Sequence, residues 1–419
     1  MCLIIDCCHL SKRLSHTAKE GVVFNRYNHQ ENVMELSSVL QTFKDNMNLR
    51  EGSNDKLGLD VFTGLLTRYF DRVPDAKKIF ELLHERGDKV VNDHVAFRSF
   101  EVSSLLKIFL HLGYSVQFDQ AGEMPMNFEA KKLTAVWLKH SNPDFPRVFV
   151  SECRLKELSA ETQSVMARYI ASVEDPITEL DFSSAKDIDN YLHSRLWETP
   201  SYEDFQTVSD ESEYLSWVLF NDYYLNHFTV TVNDLLSFNF DNELKDFVLK
   251  YRDLYLSSDE ALKPALLTEC KLELKSLYQT HMEYFVSFLM DNDFSLNAPN
   301  DKVLNISPDG LLLQCSTKAA MVEAQFSDQM ASIPGSYVEF AYRGLQEDSV
   351  EKLLKGELAF DALEKDHRRD GFEVANADKI FESTFTRDFN DRNVESHRSG
   401  GSEHLRITKK LKELCLNFQ

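Results

Sequence analysis

The segment DHVAFRSF, at Asp93–Phe100, decides the fold of this chain, because it reads as a β-strand with a histidine near its start. A second segment of this kind, NHFTVTVN at Asn226–Asn233, occurs later in the chain. RVFVSEC at Arg147–Cys153 and SYVEFAYR at Ser336–Arg343 are also strand-like, and each carries a glutamate. If the two halves of the chain are copies of one unit, these two histidines and two glutamates can face one cleft and hold a metal ion.

The elements predicted around these strands repeat in one order. After the first strand, VSSLLKIFLHLGY has the apolar spacing of a helix, and YSVQFD, LTAVWLKH and RVFVSEC follow as strands. After the second, the helical stretches DNELKDFVLKYRDLYL and ELKSLYQTHMEYFVSFLMDN precede the strand-like FSLN, LLLQCSTKAAM and SYVEFAYR. The sequence therefore predicts strand, helix, strand, strand, strand twice, although the two copies share few letters.

The remaining segments predict helical additions to this core. Residues 1–90 are expected to form an N-terminal helical region, because two stretches within it have apolar residues at three- and four-residue spacing. Residues 91–385 are expected to form the core, with an acidic helical insertion at about 154–220 that resembles a spacer more than a site. Residues 386–419 are expected to be a tail, in which a flexible link precedes a basic helix.

The charge balance excludes some functions. The chain has 46 Lys and Arg against 68 Asp and Glu, a net charge of −22, which repels phosphate backbones and anionic lipids. No stretch approaches the roughly 18 apolar residues of a membrane span. We therefore expect neither nucleic acid nor membrane as a partner, whereas a few arginines in a cleft can still bind a small anion.

The cysteines indicate the compartment. The seven cysteines are scattered along the chain and include no CxxC pair. This pattern is typical of free thiols in a reducing environment, so we expect a cytoplasmic protein. The sequence also lacks HExxH, P-loop, GxGxxG and GxSxG motifs, which removes the main support for zincin, nucleotide-binding and serine-hydrolase functions.

Strand alternation predicts which side chains share a face. His94 and Arg98 lie on one face of the first strand, and Glu339 and Arg343 lie on one face of the last. Glu152 shares its face with two valines, so a buried Glu152 would need a polar partner.

Two imidazoles and one carboxylate form the facial triad of non-haem Fe(II) oxygenases, which leaves positions for a chelating substrate and O2. The same donors also suit zinc or manganese. A strand histidine can instead be a hydrogen-bonded structural residue, and the residues alone leave that alternative open.

Taken together, these motifs resemble those of the 2-oxoadipate dioxygenase/decarboxylase family. The resemblance rests on DHVAFRSF, RVFVSEC, NHFTVTVND and IPGSYVEFAYRG, and it covers roughly residues 92–385. The core of that family is similar to the vicinal oxygen chelate superfamily. The resemblance thus implies an α+β fold in which two strand-helix-three-strand modules form a curved central sheet around a metal, with N-terminal and inserted helices.

The resemblance also implies roles for individual residues. His94, His227 and Glu339 would bind Fe(II), and Arg98 would be the catalytic and substrate-binding residue that holds a carboxylate. Glu152 would then either support the site without binding the metal or be a structural residue. The implied reaction converts 2-oxoadipate and O2 to 2-hydroxyglutarate and CO2, a step in lysine breakdown that needs no separate 2-oxo acid cosubstrate.

Two more residues are predicted to contact the substrate. Arg343 shares the face of Glu339 and is the alternative carboxylate clamp. Asn376 lies in GFEVANADKIFEST, where the resemblance places a late substrate-contacting loop, but this segment departs from the family's small hydroxylic pattern. Asn376 either donates to a substrate carboxylate or caps the helix that follows.

Two other functions stay open at this point. A metal held by the same ligands can act as a Lewis acid in a lyase or an isomerase. Alternatively, the chain can be a non-catalytic binding protein that keeps the fold without a working metal site.

Overall fold

A mixed β-sheet forms the centre of the computed structural model. The structure describes residues 36–386 except 46, 101–102, 119–124, 172–176, 178–179 and 239. The predicted C-terminal helix therefore lies outside the described residues. The strands are, in chain order, β1 (Asn92–Ser99), β2 (Tyr114–Val116), β3 (Met126–Phe128), β4 (Leu133–His140), β5 (Arg147–Cys153), β6 (His227–Thr231), β7 (Asn305–Ile306), β8 (Leu312–Ser316), β9 (Met321–Gln325), β10 (Met330–Pro334) and β11 (Tyr337–Arg343).

Helices precede, connect and follow these strands. They are α1 (Leu36–Asp45), α2 (Asp55–Arg72), α3 (Pro74–Glu85), α4 (Ser103–His111), α5 (Ala160–Ile170), α6 (Ala185–His193), α7 (Tyr202–Glu211), α8 (Glu213–Asn221), α9 (Asp241–Ser257), α10 (Lys263–Asp291), α11 (Glu347–Lys355) and α12 (Val374–Ile380). The predicted α+β class, with a central sheet and added helices, is confirmed. None of the helices in the described part of the chain has the length and apolar content that a membrane crossing requires.

The two halves of the central sheet repeat one strand order. The order across the sheet is β2-β4-β5-β1-β6-β11-β8-β7, with β3 attached to β4. In each half, the first strand pairs in parallel with the last strand, β1 with β5 and β6 with β11. The halves meet where β1 and β6 pair in antiparallel fashion. Parallel pairing of this kind needs a long crossover, which α4 supplies in the first half and α9 with α10 in the second.

The second half departs from the predicted strands. FSLN is not a strand, because Leu296 makes only an isolated bridge to Thr317 and the chain then reaches Pro299, which cannot donate to a ladder. The edge strand is instead the two-residue β7. LLLQCSTKAAM is also not one strand, because β8 ends at Ser316 and β9 begins a separate two-stranded sheet with β10. Both strands of that hairpin are largely exposed, so they lack the apolar signal of a core strand.

The two faces of the central sheet have different environments. Val95, Phe97, Phe228 and Phe340 point into the large apolar core, together with side chains of α2, α3, α4, α9 and α10. The alternate residues of the same strands point to the opposite face, which includes His94, Arg98, His227 and Glu339.

The inserted helices cover part of this second face. Leu215 and Trp217 of α8 and Met166 of α5 pack with Ala96 and Phe149 of the sheet in a second apolar cluster. Each helix of the insertion begins at a serine whose side chain accepts a backbone N–H; these serines are Ser159, Ser184, Ser201 and Ser212. Helices α5 and α8 of the insertion thus pack on the side of the histidines, whereas Ile188 and Leu192 of α6 belong to the large core, so the insertion is packed against the sheet rather than being a spacer.

We expect Phe62→Ala to lower the free energy of unfolding by about 3–5 kcal/mol, because it empties a fully buried site in the core between α2 and the sheet. Phe62 contacts the rings of Phe109, Tyr114 and Phe145. Urea-induced unfolding measures the change. Leu49→Ala is the control, because Leu49 is 40% exposed and its loss should change stability by less than about 0.5 kcal/mol. A loss below about 1 kcal/mol for Phe62→Ala would contradict this packing.

Candidate metal centre

His94, His227 and Glu339 meet on the second face of the sheet. One potential ligand atom from each residue lies within 4.8 Å of the others, and all three residues are buried. Oε2 of Glu339 is 3.1 Å from Nε2 of His227 and 3.6 Å from Nε2 of His94. The two Nε2 atoms are 3.3 Å apart. The structure thus brings together the three residues that the sequence predicted as metal ligands.

The strand register explains why these residues meet. Thr229 of β6 lies opposite both His94 of β1 and Glu339 of β11. His227 precedes Thr229 by two positions, so it points to the same face. The three ligands therefore come from three adjacent strands at the centre of the sheet, where the backbone is held on both sides.

Hydrogen bonds orient both imidazole rings. Nδ1 of His94 lies 2.8 Å from Oδ2 of Asp93, and Nδ1 of His227 lies 3.2 Å from Oδ1 of Asn226. Because both partners are acceptors, we assign the proton to Nδ1 in each neutral ring, which leaves the Nε2 lone pairs directed toward Glu339. Oγ1 of Thr229 is 3.0 Å from Nε2 of His94 and can donate to it.

The electrostatics of the cluster favour a cation. Burial raises the pKa of Glu339, but the two imidazoles outweigh this effect and bring the pKa to about 2. Burial lowers the pKa of His94, but the carboxylates of Glu339 and Asp93 raise it above its usual value. Burial lowers the pKa of His227, and this effect dominates over the pull of Glu339. Glu339 is therefore ionised at neutral pH, and the negative field that attracts a proton also attracts a metal ion.

The donor set fits a transition metal. Metal-to-ligand bonds to histidine and carboxylate are about 2.0–2.2 Å, so neighbouring ligand atoms around one ion lie roughly 3 Å apart. The measured separations of 3.1, 3.3 and 3.6 Å are close to this spacing. Two imidazole nitrogens and one carboxylate oxygen are also the donor types of the facial triad.

Asp93 is a functional residue that the sequence reasoning missed. Its carboxylate binds His94 on one side and accepts from Nε of Arg343 at 2.7 Å and from Nη2 of Arg343 at 2.8 Å. Nη1 of Arg147 lies 3.3 Å away. Simple alternation would point Asp93 away from His94, but a β-bulge between Asn92 and His94 breaks the alternation.

Arg343 makes its hydrogen bonds within the protein, although it also lines a cavity together with Asp93 and Arg147. Besides its two bonds to Asp93, it donates through Nη1 to the carbonyls of Arg369 and Gly371. The contacts with Asp93 offset the buried charge of its carboxylate. The substrate contact predicted for Arg343 stays a prediction.

Arg98 lies on the same face, further along β1. Its side chain is fully buried, and it donates to Oγ1 of Thr384 at 2.7 Å and to the carbonyl of Phe381 at 3.1 Å. Its guanidinium lies over the rings of Tyr214 and Trp217 of the insertion. Nε of Arg98 has no hydrogen-bond partner among the described residues. Burial lowers the pKa of Arg98, yet an arginine keeps its charge at neutral pH.

Asn376 also has partners within the protein. Its Nδ2 lies 3.2 Å from the carbonyl of Leu312, 3.4 Å from that of Asn305 and 2.9 Å from Oε1 of Gln314. Asn376 is the third residue of α12, so it does not cap that helix. Gln314 in turn donates to Oε1 of Glu339, and the substrate contact predicted for Asn376 stays a prediction.

Glu152 does not support the metal centre. It lies opposite Ser99 at the far end of β1, five residues from His94, which is roughly 16 Å along the strand. It also shares its face with Val150, which belongs to the large core on the other side of the sheet. The strand pleat turns Glu152 away from the metal ligands, which corrects its predicted supporting role and leaves the predicted structural role.

The position related to Glu339 in the first half holds a phenylalanine. In the second half, Glu339 lies opposite Thr229, which follows His227 by two positions. In the first half, Ala96 follows His94 by two positions, and Phe149 lies opposite Ala96. The repeated sheet therefore provides three polar ligand positions and one apolar position.

Phe372 completes this apolar side of the site and was also missed. Its ring packs 4.8 Å from that of His94, 4.9 Å from that of Phe149 and 5.6 Å from that of Trp137. Gly371 precedes it with a φ of +72°, and a Cβ atom there would lie 3.1 Å from Trp137, so glycine suits this turn. No sequence pattern pointed to Phe372, because its segment has no strand or helix period.

Comparisons with known proteins agree on one family. A family model described as 2-oxoadipate dioxygenase/decarboxylase matches residues 61–268 and 274–354. The chain is 34% identical over 341 residues to a chloroplastic/amyloplastic 2-oxoadipate dioxygenase/decarboxylase of Oryza sativa subsp. japonica, covering 77% of this chain and 78% of the relative. It is 32% identical over 377 residues to the chloroplastic protein of that name from Arabidopsis thaliana, covering 84% and 86%.

A solved structure is similar as well. The crystal structure of the hydroxyglutarate synthase from Oryza sativa in complex with 2-oxoadipate has a TM-score of 0.61 and 31% sequence identity to this chain. The match covers 82% of this chain and 96% of the rice chain.

We expect Asp93→Asn to lower the free energy of unfolding by about 3–5 kcal/mol, because it leaves the buried guanidinium of Arg343 without its counter-charge. Urea-induced unfolding measures the loss. Asp366→Asn is the control, because the Asp366 side chain is 74% exposed and, among the described residues, forms an ion pair only with His367. Equal stability of Asp93→Asn and the wild type would show that Arg343 does not depend on this carboxylate.

Proposed function

The chain belongs to the 2-oxoadipate dioxygenase/decarboxylase family, and from this premise we propose that it converts 2-oxoadipate and O2 to 2-hydroxyglutarate and CO2. The reaction is balanced, because CO2 carries away the carboxylate next to the keto group and both oxygen atoms of O2 enter 2-hydroxyglutarate. The observation that carries the proposal is the buried cluster of His94, His227 and Glu339, whose donor types and spacing suit one metal ion.

We further propose Fe(II) as the metal, with those three side chains as its ligands. When bound, Fe(II) supplies the redox-active Lewis acid that this chemistry requires. Three protein ligands leave positions free for a substrate that chelates through a carboxylate and the adjacent keto oxygen. The apolar rings of Phe149 and Phe372 exclude water from this side of the site.

Arg98 is proposed to bind the distal carboxylate of the substrate. It lies four residues from His94 on the same face, roughly 13 Å along the strand, and the small side chain of Ala96 lies between them. The substrate and the arginine side chain together can span this distance. The hydrogen bonds of Arg98 go to the neutral oxygens of Thr384 and Phe381, so a substrate carboxylate would supply the missing counter-charge.

Several broader assignments are proposals of the same kind. The repeated strand order supports two vicinal oxygen chelate-like modules within a core at 91–385, flanked by regions 1–90 and 386–419. The buried free thiols of Cys153, Cys270 and Cys315 support a reducing compartment such as the cytoplasm, although both plant relatives are named as chloroplastic. A role in lysine breakdown would follow from the substrate, and the net negative charge speaks against nucleic-acid and membrane partners.

The direct test is to load the protein with Fe(II) under anaerobic conditions and then to measure turnover in the presence of O2. We expect O2 uptake and CO2 release in equal amounts on addition of 2-oxoadipate, with 2-hydroxyglutarate as the product. Absence of turnover with every 2-oxo diacid tried, despite one bound iron per chain, would refute the proposed reaction. Turnover without O2, supported by zinc or manganese, would indicate a lyase or an isomerase instead.

We expect His94→Ala and His227→Ala each to abolish stoichiometric iron binding and turnover, because two donors are too few to hold the ion. Metal analysis after dialysis and the O2-uptake assay measure both effects. His281→Ala is the matched control, because His281 is also buried but stacks on Phe240 of the helical layer. Unchanged iron content in either site variant would refute the ligand assignment and favour a binding protein without a working metal site.

We expect Arg98→Met to lower kcat/KM for 2-oxoadipate by about 100-fold or more, because a buried charge pair with the substrate is lost. For 2-oxohexanoate, which lacks the distal carboxylate, the same variant should show a far smaller decrease in kcat/KM. Arg72→Met is the control, because Arg72 also lies over an aromatic ring, that of Tyr224, and is not proposed to contact the substrate. Equal losses for both substrates would show that Arg98 does not bind that carboxylate.

A further inference from the structure

Glu339 has two carboxylate oxygens in different environments. Oε2 faces the two histidines, whereas Oε1 accepts a hydrogen bond from Nε2 of Gln314. Gln314 lies on β8 opposite Ala341, two residues after Glu339 on the neighbouring strand. It is buried on the same face as the metal ligands. The glutamine therefore contacts the ligand residue from the side away from the metal.

The orientation of the Gln314 amide is fixed by its second partner. Its Oε1 lies 2.9 Å from Nδ2 of Asn376 and accepts from it. The Nδ2 group of Asn376 also faces the backbone carbonyls of Leu312 and Asn305, which can only accept. Asn376 must therefore present its amide nitrogen to this side, and Gln314 must present its own nitrogen to Glu339.

We propose that Gln314 and Asn376 are positioning residues that keep Glu339 a monodentate ligand through Oε2. This inference rests on the metal site proposed above and adds a role for two residues outside the ligand set. With Oε1 held by Gln314, the carboxylate cannot turn to place both oxygens on the metal. One coordination position thereby stays available for the chelating 2-oxo acid.

The burial of the pair supports a role in orientation. Gln314 is 3% exposed and Asn376 is 2% exposed, so neither amide gains from contact with bulk water. A buried amide is costly unless its partners are all in place, and an apolar pair of similar volume would fill the same space without that requirement. The network ends at a carboxylate that ligates the metal, and such outer contacts typically change metal affinity 10- to 100-fold.

The test compares Gln314→Met, Asn376→Leu and the double variant with the full-length wild type, using Co(II) as the probe. Methionine keeps the length of glutamine and removes its donor and acceptor. We expect each single variant to weaken Co(II) binding by about 10- to 100-fold and to change the visible absorption of the bound Co(II), because the carboxylate changes its coordination mode. The double variant should bind Co(II) at most about 2-fold more weakly than Gln314→Met, because Asn376 acts through Gln314.

Asn297→Leu is the matched control. Asn297 is also a buried amide, and its Nδ2 donates to the carbonyl of Lys379 in α12, the helix that carries Asn376. We expect its Co(II) affinity and spectrum to match those of the wild type. The proposal would be overturned if the losses of Co(II) affinity in the two single variants added fully in the double variant. It would also be overturned by an unchanged Co(II) spectrum, or by an equal loss of Co(II) affinity in Asn297→Leu.

The outcomes separate this inference from the proposed function. If the wild type binds one Co(II) that His94→Ala loses, but Gln314→Met behaves like the wild type, then only the positioning role is wrong. If the wild type binds no Co(II) at these residues, the metal site and the positioning role both fail.

Discussion

The register of β6 between β1 and β11 is the constraint on which the rest of this structure depends. β6 runs antiparallel to β1 and parallel to β11, and Thr229 at its centre lies opposite both His94 and Glu339. A slip of one residue in either pairing would turn a ligand to the opposite face, into the apolar core. That core, formed by residues such as Phe228 and Phe340, fixes the register because it accepts only apolar side chains.

Burial of this site requires that every charge has a partner. Asp93 orients His94 and is itself held by two arginines, while Gln314 holds the outer oxygen of Glu339. Arg98 is the exception, because its bonds go to neutral oxygens and its Nε has no partner among the described residues. Burial of the Arg98 guanidinium is costly unless a ligand supplies a counter-charge. This property suits an arginine that recognises a carboxylate.

The repeated sheet has become asymmetric in its chemistry. The ladder position that holds Glu339 in the second half holds Phe149 in the first, and Phe372 packs on that ring and on His94. One side of the centre is therefore polar and the other apolar. The helices of the insertion add to the asymmetry, because Tyr214 and Trp217 lie over Arg98 of the first half. A scaffold with two similar halves can thus bind a substrate in a single direction.

The sequence by itself determined the strands that carry His94, His227 and Glu339 and the face that each of these three side chains shares within its strand, because both follow from local periodicity. The α+β class followed from the family resemblance of the same motifs. Only the tertiary structure decided which strands are neighbours. In that arrangement Glu152 lies far from the metal ligands. Arg343 donates to Asp93, and Asn376 donates to Gln314. Local periodicity contains no information on such contacts, because they join residues far apart in the chain through the sheet register and one β-bulge.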